Sequence, residues 1–254
     1  MPLDRELDLA RGIAFRSAEL ALRHQAAGIV PETKPDDSPV TIADRECERL
    51  IAGELEANFP EDGILGEEGS NKPSRSGRRW ILDPIDGTRD FVRHDPLWGV
   101  LIGLEDRGEV VAGVVHLPML QQTAWASRGG GAFRNDRRLR VSSISDPASA
   151  VISVNALTRI DGMAFTPGLM DFIGRFWSYR CLGGTPDAIM LAAGETDAWV
   201  EPSVHEWDLA AVQVILEEAG AKFFSFRGGR TIYDTSAIAC SPGLEAELRA
   251  FFCS

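Results

Sequence analysis

The chain predicts an α/β fold in which an α+β half is followed by an α/β half. Three features of the pattern point there. Two segments with helical spacing of apolar residues open the chain, and a series of short apolar runs separated by tight turns comes next. Beyond residue 150 strand-like and helix-like segments alternate, as in an α/β layer. A small, polar stretch at Ser143–Ser149 separates the two patterns, so subdomains are expected at 1–145 and 146–254. With 254 residues, 44% hydrophobic and 25% charged, the chain has the makings of an ordinary globular core.

The first helix spans 3–26, where Leu3, Leu7, Ala10, Ala14, Ala18 and Ala21 recur at steps of three or four. Pro31–Pro39 is rich in proline and aspartate and reads as a loop. Thr41-Ile42-Ala43-Asp44 resembles a capping box that starts a second helix, with Cys47, Leu50, Ile51, Leu55 and Phe59 on its buried face. Ile64-Leu65-Gly66 is a short apolar step leading into Glu67-Glu68. Adjacent residues of an extended chain point opposite ways, so one of the two acids is expected to face any given site. Leu97–Glu105 and Glu109–Leu117 form a hairpin about Asp106-Arg107-Gly108, with further strands at Thr123–Ser127 and Leu139–Ser142. Gly129-Gly130-Gly131 has no Lys-Ser/Thr after it, so it is a turn and not a phosphate loop. In the second half, strands are expected at Ala150–Val154, Trp177–Leu182, Ala198–Glu201, Lys222–Phe226 and Ser236–Cys240. Helices are expected at Gly168–Phe176, Pro186–Ala193, Trp207–Ala219 and Gly243–Phe252. No internal repeat is present.

The chemistry centres on Trp80-Ile81-Leu82-Asp83-Pro84-Ile85-Asp86-Gly87-Thr88. An apolar, β-prone run enters a turn at Pro84, which has no N–H to donate and is expected to end the ladder. Asp83 and Asp86 then converge at the strand end, and Gly87-Thr88 can open a short helix whose free N–H groups face an anion. Taken alone, the segment fits a metal-and-phosphate turn or a strand stop with an Asx turn. Asp208 at the start of the Trp207–Ala219 helix is likewise compatible with a simple cap. The chain nevertheless holds four acidic turns delivered by apolar elements, at Asp44, Glu67/Glu68, Asp83/Asp86 and Asp208. Three or more carboxylates cannot share a cleft as anions without cations between them. Hard oxygen donors, and histidines without ligand-like spacing, point to Mg²⁺ or Mn²⁺ rather than Zn²⁺.

Glu67-Glu68, Asp83-Pro84-Ile85-Asp86-Gly87-Thr88 and Trp207-Asp208 together resemble the three-part signature of the inositol monophosphatase family of Mg²⁺-dependent, lithium-sensitive phosphatases. The likeness extends to Pro39–Asp44, Gly194–Ala198 and Glu201-Pro202. It implies a layered αβαβα sandwich with the site between its halves, and two or three Mg²⁺ ions. Glu67, Asp83 and the carbonyl of Ile85 would hold one ion; Asp83, Asp86 and Asp208 would hold a second. Glu67 and Thr88 would activate water, with Asp44 hydrogen-bonded to Thr88, for direct in-line attack on phosphorus. Gly87 and Thr88 N–H groups would bind phosphate. Asp86, Glu201 and the Gly183-Gly184-Thr185 segment would contact the substrate, although Pro186 departs from the family pattern there. Glu68 is expected to point outward or to stand behind the ligands, and Lys34 to be solvated, with a position facing the site from its loop as the alternative. Arg89–Gly99 looks more like the histidinol-phosphatase branch than the T-N-F-x-H pattern of the inositol enzymes, leaving Arg93 and His94 open as contacts or surface residues.

The expected function is therefore hydrolysis of inositol monophosphate, histidinol phosphate or a similar small ester; a catalytically silent polyol-phosphate-binding protein is the alternative. A two-carboxylate glycosidase leaves Gly87-Thr88 unexplained, and Asp83-x-x-Asp86 has the wrong spacing for an aspartyl-phosphate phosphatase. Net charge −12, from 26 Lys+Arg and 38 Asp+Glu, disfavours nucleic acid or an anionic membrane as partner. No signal peptide or spanning segment is read, and four scattered cysteines fit a reduced, cytoplasmic chain. A homodimer is usual in the family.

Overall fold

Two sheets and three helical layers stack in the order helix, sheet, helix, sheet, helix, each layer burying the apolar stripe of the next. The computed structural model describes residues 3–34 and 39–253. The first half comprises α1 (Asp4–Ala27), β1 (Glu32–Thr33), β2 (Pro39–Val40), α2 (Ile42–Asn58), β3 (Gly63–Gly66), β4 (Asn71–Lys72), β5 (Arg78–Asp86), α3 (Thr88–Arg93), β6 (Gly99–Asp106), β7 (Glu109–Leu117), β8 (Gln122–Ser127), β9 (Gly131–Arg134) and β10 (Arg137–Arg138). The second comprises β11 (Val151–Val154), α4 (Leu169–Ile173), β12 (Ser178–Arg180), α5 (Thr185–Ala192), β13 (Ala198–Glu201), α6 (Glu206–Glu218), β14 (Lys222–Phe224), β15 (Ala237–Cys240) and α7 (Glu245–Phe252).

An eight-stranded sheet runs β10-β9-β8-β7-β6-β5-β3-β4 and a five-stranded sheet runs β12-β11-β13-β15-β14. The first is antiparallel except where β3 pairs parallel with β5; the second is mixed. α1 and α2 cover the outer face of the larger sheet through Leu7, Ile13, Ile51 and Leu55 against Trp80, Leu82 and Leu104. α5 and α6 fill the space between the sheets, and α4 and α7 close the far face of the smaller one around Phe172 and Phe252. No described helix is long and apolar enough to cross a membrane.

Several elements differ from expectation. Pro84 interrupts the β5 ladder without ending it: the register shifts between Asp83 and Asp86, and pairing resumes at Asp86 opposite Gly99. Leu139–Ser142 is not a strand. Leu139 donates to the Ala132 carbonyl and Val141 to that of Ala219, so the chain leaves the sheet toward the end of α6. The Pro31–Pro39 loop contains β1, which pairs with β2 at the loop's end, and its residues 35–38 lie outside the described residues. The Gly168–Phe176 helix shrinks to five residues between a Pro167-containing 3₁₀ turn and Gly174. Gly129–Gly131 is a turn as expected, its Gly129 and Gly131 N–H groups donating to the Glu218 carboxylate at 2.9 and 2.8 Å.

One packing contact fixes α6. Gly103 of β6 and Gly113 of β7 lie opposite each other, and the backbone of Ala210 and Ala211 settles into the flat patch they leave. A Cβ at Gly103 would stand 2.6 Å from the Ala210 Cβ, and one at Gly113 2.6 Å from the Ala211 carbonyl oxygen. Gly103→Ala and Gly113→Ala are therefore expected to destabilise the fold by about 1–3 kcal/mol each in urea unfolding. Their combined effect should fall short of the sum, since both displace the same helix. Wild-type stability in both variants would refute this docking.

Candidate functional site

The irregular end of β5 and the turn after it are shaped by their own side chains. Asp83, 1% exposed, accepts the Ile85 N–H through Oδ1 at 3.0 Å, an Asx turn that aims the carboxyl group. Gly87 follows with φ 83°, left-handed backbone that suits glycine, and caps α3. α3 is held from below: Phe91 packs edge-on against Trp98 at 4.9 Å, and its carbonyl accepts from Gln25 Nε2 of α1 at 2.7 Å.

α2 supplies the next layer. Thr41 and Asp44 form the capping box, with Asp44 Oδ2 accepting from the Thr41 N–H at 2.8 Å and from its hydroxyl at 2.6 Å. The Thr88 hydroxyl lies 3.3 Å from both Asp44 Oδ1 and the Ile85 carbonyl oxygen. β3 delivers Glu67, whose N–H donates to Leu82 of β5 at 3.2 Å. Lys34 takes the site-facing position and not the solvated one: its ammonium donates to Glu67 at 2.8 Å and Glu68 at 2.5 Å. Glu68 thus turns in toward Lys34 rather than outward. Burial alone would lower the Lys34 pKa, but these two bonds outweigh it and raise it.

The second half contributes Asp208 from the first turn of α6, where it caps the helix by accepting the His205 N–H at 2.7 Å. The start of α5 brings Thr185, whose hydroxyl and N–H both bond the Asp86 carboxylate. Glu201, at the end of β13, is 4% exposed and also faces the cleft. The two halves enclose a cleft of about 270 Å³.

Asp83, Asp86 and Asp208 each present a ligand atom, all within 4.8 Å of one another. Burial and the charges of Glu67, Asp86 and Asp208 raise the Asp83 pKa well above the usual range. Burial pushes Asp86 up to about 6, the Thr185 bonds opposing it, and pushes Asp208 up to about 8 with help from Asp86. Glu201 rises to about 8, again chiefly through burial, and Glu68 to about 7. Groups this close cannot all be anionic unless a cation joins them. The all-oxygen donor set fits a hard divalent ion such as Mg²⁺.

Of the residues singled out in the sequence, Glu67, Asp83, Ile85, Asp86, Gly87, Thr88, Gly183, Gly184, Thr185, Glu201 and Asp208 line the cleft. Asp44 lies behind it, fully buried. Arg93 and His94 are exposed and stand off the lining, which instead takes Arg89, Asp90 and Leu97 from the same segment. Sequence reasoning passed over two buried carboxylates that grip the site's backbone. Asp187 accepts from the N–H groups of Leu182 and Gly183, and Glu48 from those of Glu68 and Ser70. Glu48 had one available signal, its place one helical turn beyond Asp44 on the same face.

The inositol monophosphatase family model matches residues 3–252. The chain is 40% identical to a histidinol-phosphatase of Mycobacterium tuberculosis, covering 96% of each chain. It is 37% identical to an inositol-1-monophosphatase of Rhizobium meliloti over 79% of this chain and 77% of that one. Its fold superposes on an IMPase of Thermotoga maritima with a TM-score of 0.89 at 30% identity, covering 98% of this chain and 96% of that one. The chain belongs to the inositol monophosphatase family and is a phosphoric monoester hydrolase.

Proposed function

We propose that this phosphatase is Mg²⁺-dependent and acts on a small amino-alcohol or polyol phosphate, histidinol phosphate first and inositol monophosphate second. The observation that carries it is the meeting of Asp83, Asp86 and Asp208 from two halves of the chain, beside the N–H groups of Gly87 and Thr88. Glu67, Asp83 and the Ile85 carbonyl, with Asp86 and Asp208, would hold two Mg²⁺ ions, and Mn²⁺ suits the same donors. Bound there, Mg²⁺ would supply Lewis-acid polarisation of the ester and a water of lowered pKa.

The protein's own groups do the rest. Thr88 shares its hydroxyl proton with Asp44 and the Ile85 carbonyl, which orients the oxygen, in the cleft that Glu67 also lines, as a relay for the proton of attacking water. Gly87 and Thr88 N–H groups take the phosphate. At the other end of the ester, Glu201 and Asp90 offer acidic groups that suit a substrate hydroxyl or ammonium, and Gly183–Thr185 closes that side. Histidinol phosphate is favoured by the near full-length match to a histidinol-phosphatase.

A homodimer is also proposed, through the exposed edge strand β12 with Trp177 and Tyr179. Light scattering should return twice 27.7 kDa, falling to the single mass in Trp177→Glu; a wild-type monomer refutes it.

Phosphate release should be fastest on histidinol phosphate among a panel with inositol-1-phosphate, fructose-1,6-bisphosphate and 3′-phosphoadenosine 5′-phosphate, and absent without Mg²⁺. Asp83→Asn should lower turnover at least about 100-fold with the fold intact. Equal rates with and without Mg²⁺, or an active Asp83→Asn variant, would sink the proposal. The raised carboxyl pKa values also set a sign. Metal-free folded protein holds more protons than the unfolded chain between pH 4 and 8, so stability falls as pH rises through that window. The melting temperature without divalent ions should climb from pH 8 to pH 5.5, and Mg²⁺ at pH 8 should recover that gain. A metal-free protein that loses stability on acidification across this range would contradict the arrangement.

A further inference from the structure

We infer that Glu48 is a positioning residue for the metal ligand Glu67, acting through the backbone of the turn that carries it; the inference rests on the Mg²⁺ reading above. Glu48 is 2% exposed and does not line the cleft. Its Oε2 accepts the Glu68 N–H at 2.6 Å and its Oε1 the Ser70 N–H at 2.7 Å. Those donors flank Gly69, and the Gly66 N–H closes the same turn on the Ser70 carbonyl at 2.8 Å. The carboxylate therefore sits at the centre of the Gly66–Ser70 turn and satisfies two half-buried backbone donors with charge-assisted bonds. Gly66 is part of the fit, since a Cβ there would overlap the Glu48 carboxyl group.

The geometry also couples two parts of the site. Asp44 and Glu48 are one helical turn apart on α2, so their side chains leave the same face. Asp44 reaches the Thr88 hydroxyl, and Glu48 reaches the turn carrying Glu67. A single helix thus sets the spacing between the two groups assigned to the attacking water. A ligand held by an unanchored turn must be ordered each time a cation binds; one held by Glu48 is ordered beforehand.

Glu48→Gln keeps the volume but places an NH₂ against a backbone donor, so it releases one side of the turn. Calorimetric titration with MgCl₂ alone should show the dissociation constant rising about 10- to 100-fold. At saturating Mg²⁺ the KM for the ester should be unchanged. Gly66→Ala, which displaces the Glu48 carboxylate without altering its charge, should produce the same rise, and the double variant should add little to either. Asp62→Asn serves as the control, because Asp62 is a buried carboxylate that binds Trp80 Nε1 and the Ser76 hydroxyl away from the cleft. It should lower the melting temperature and leave Mg²⁺ affinity untouched. Wild-type Mg²⁺ affinity in Glu48→Gln or Gly66→Ala, or an equal affinity loss in Asp62→Asn, would overturn the assignment to Glu48 alone. A wild-type chain that binds no Mg²⁺ would overturn the metal reading and this one with it.

Discussion

Like charges crowded out of water are the constraint around which this chain is built. Asp83, Asp86 and Asp208 bring ligand atoms to within 4.8 Å of one another, with Glu67 close enough to raise the pKa of all three. Without a cation such a cluster opposes folding, so the rest of the structure must hold it together by other means. The means are apolar. The larger sheet is clamped between α1–α2 and α5–α6, and Asp208 rides on a helix pressed against two strand glycines. Core burial at about 25 cal/mol per Å² is what can absorb the strain of an acidic cleft.

Backbone detail then decides which way each acid points. Pro84 breaks the pairing of β5 just where Asp83 needs to leave the sheet, and the Asx turn onto Ile85 fixes its direction. Capping provides the same service for Asp44 and Asp208, each of which accepts an N–H at the start of its own helix. A cap and a site residue are thus one side chain in two roles. Lys34 supplies positive charge next to Glu67 and Glu68 from a segment outside both sheets.

Much of this was legible in the sequence because the local signals agree with the tertiary result. The capping box at Thr41–Asp44, the Arg107-Gly108 hairpin and the alternation beyond residue 150 are all set by near neighbours in the chain. The acidic turns could be read as a group because each follows an apolar element. Long-range partners could not be read. Nothing near Lys34 decides between solvent and its bonds to Glu67 and Glu68, and nothing near Asp187 shows that it holds the Gly183 N–H. Leu139–Ser142 has strand-like composition, yet Val141 bonds Ala219, some 80 residues away, and the strand is lost to that contact. Composition leaves Arg93 and His94 open as contacts or surface residues; they lie on the surface, and Arg89 and Asp90 from the same segment line the cleft.

If the acids of this cleft are a divalent-cation site joining the two halves of the chain, a metal must bind among them. Anomalous diffraction from crystals grown with Mn²⁺ tests it most directly. Two peaks are expected in the cleft, one touching Glu67, Asp83 and the Ile85 carbonyl and the other Asp83, Asp86 and Asp208. An empty cleft at saturating Mn²⁺, or peaks that leave Asp83 without a metal, would contradict it.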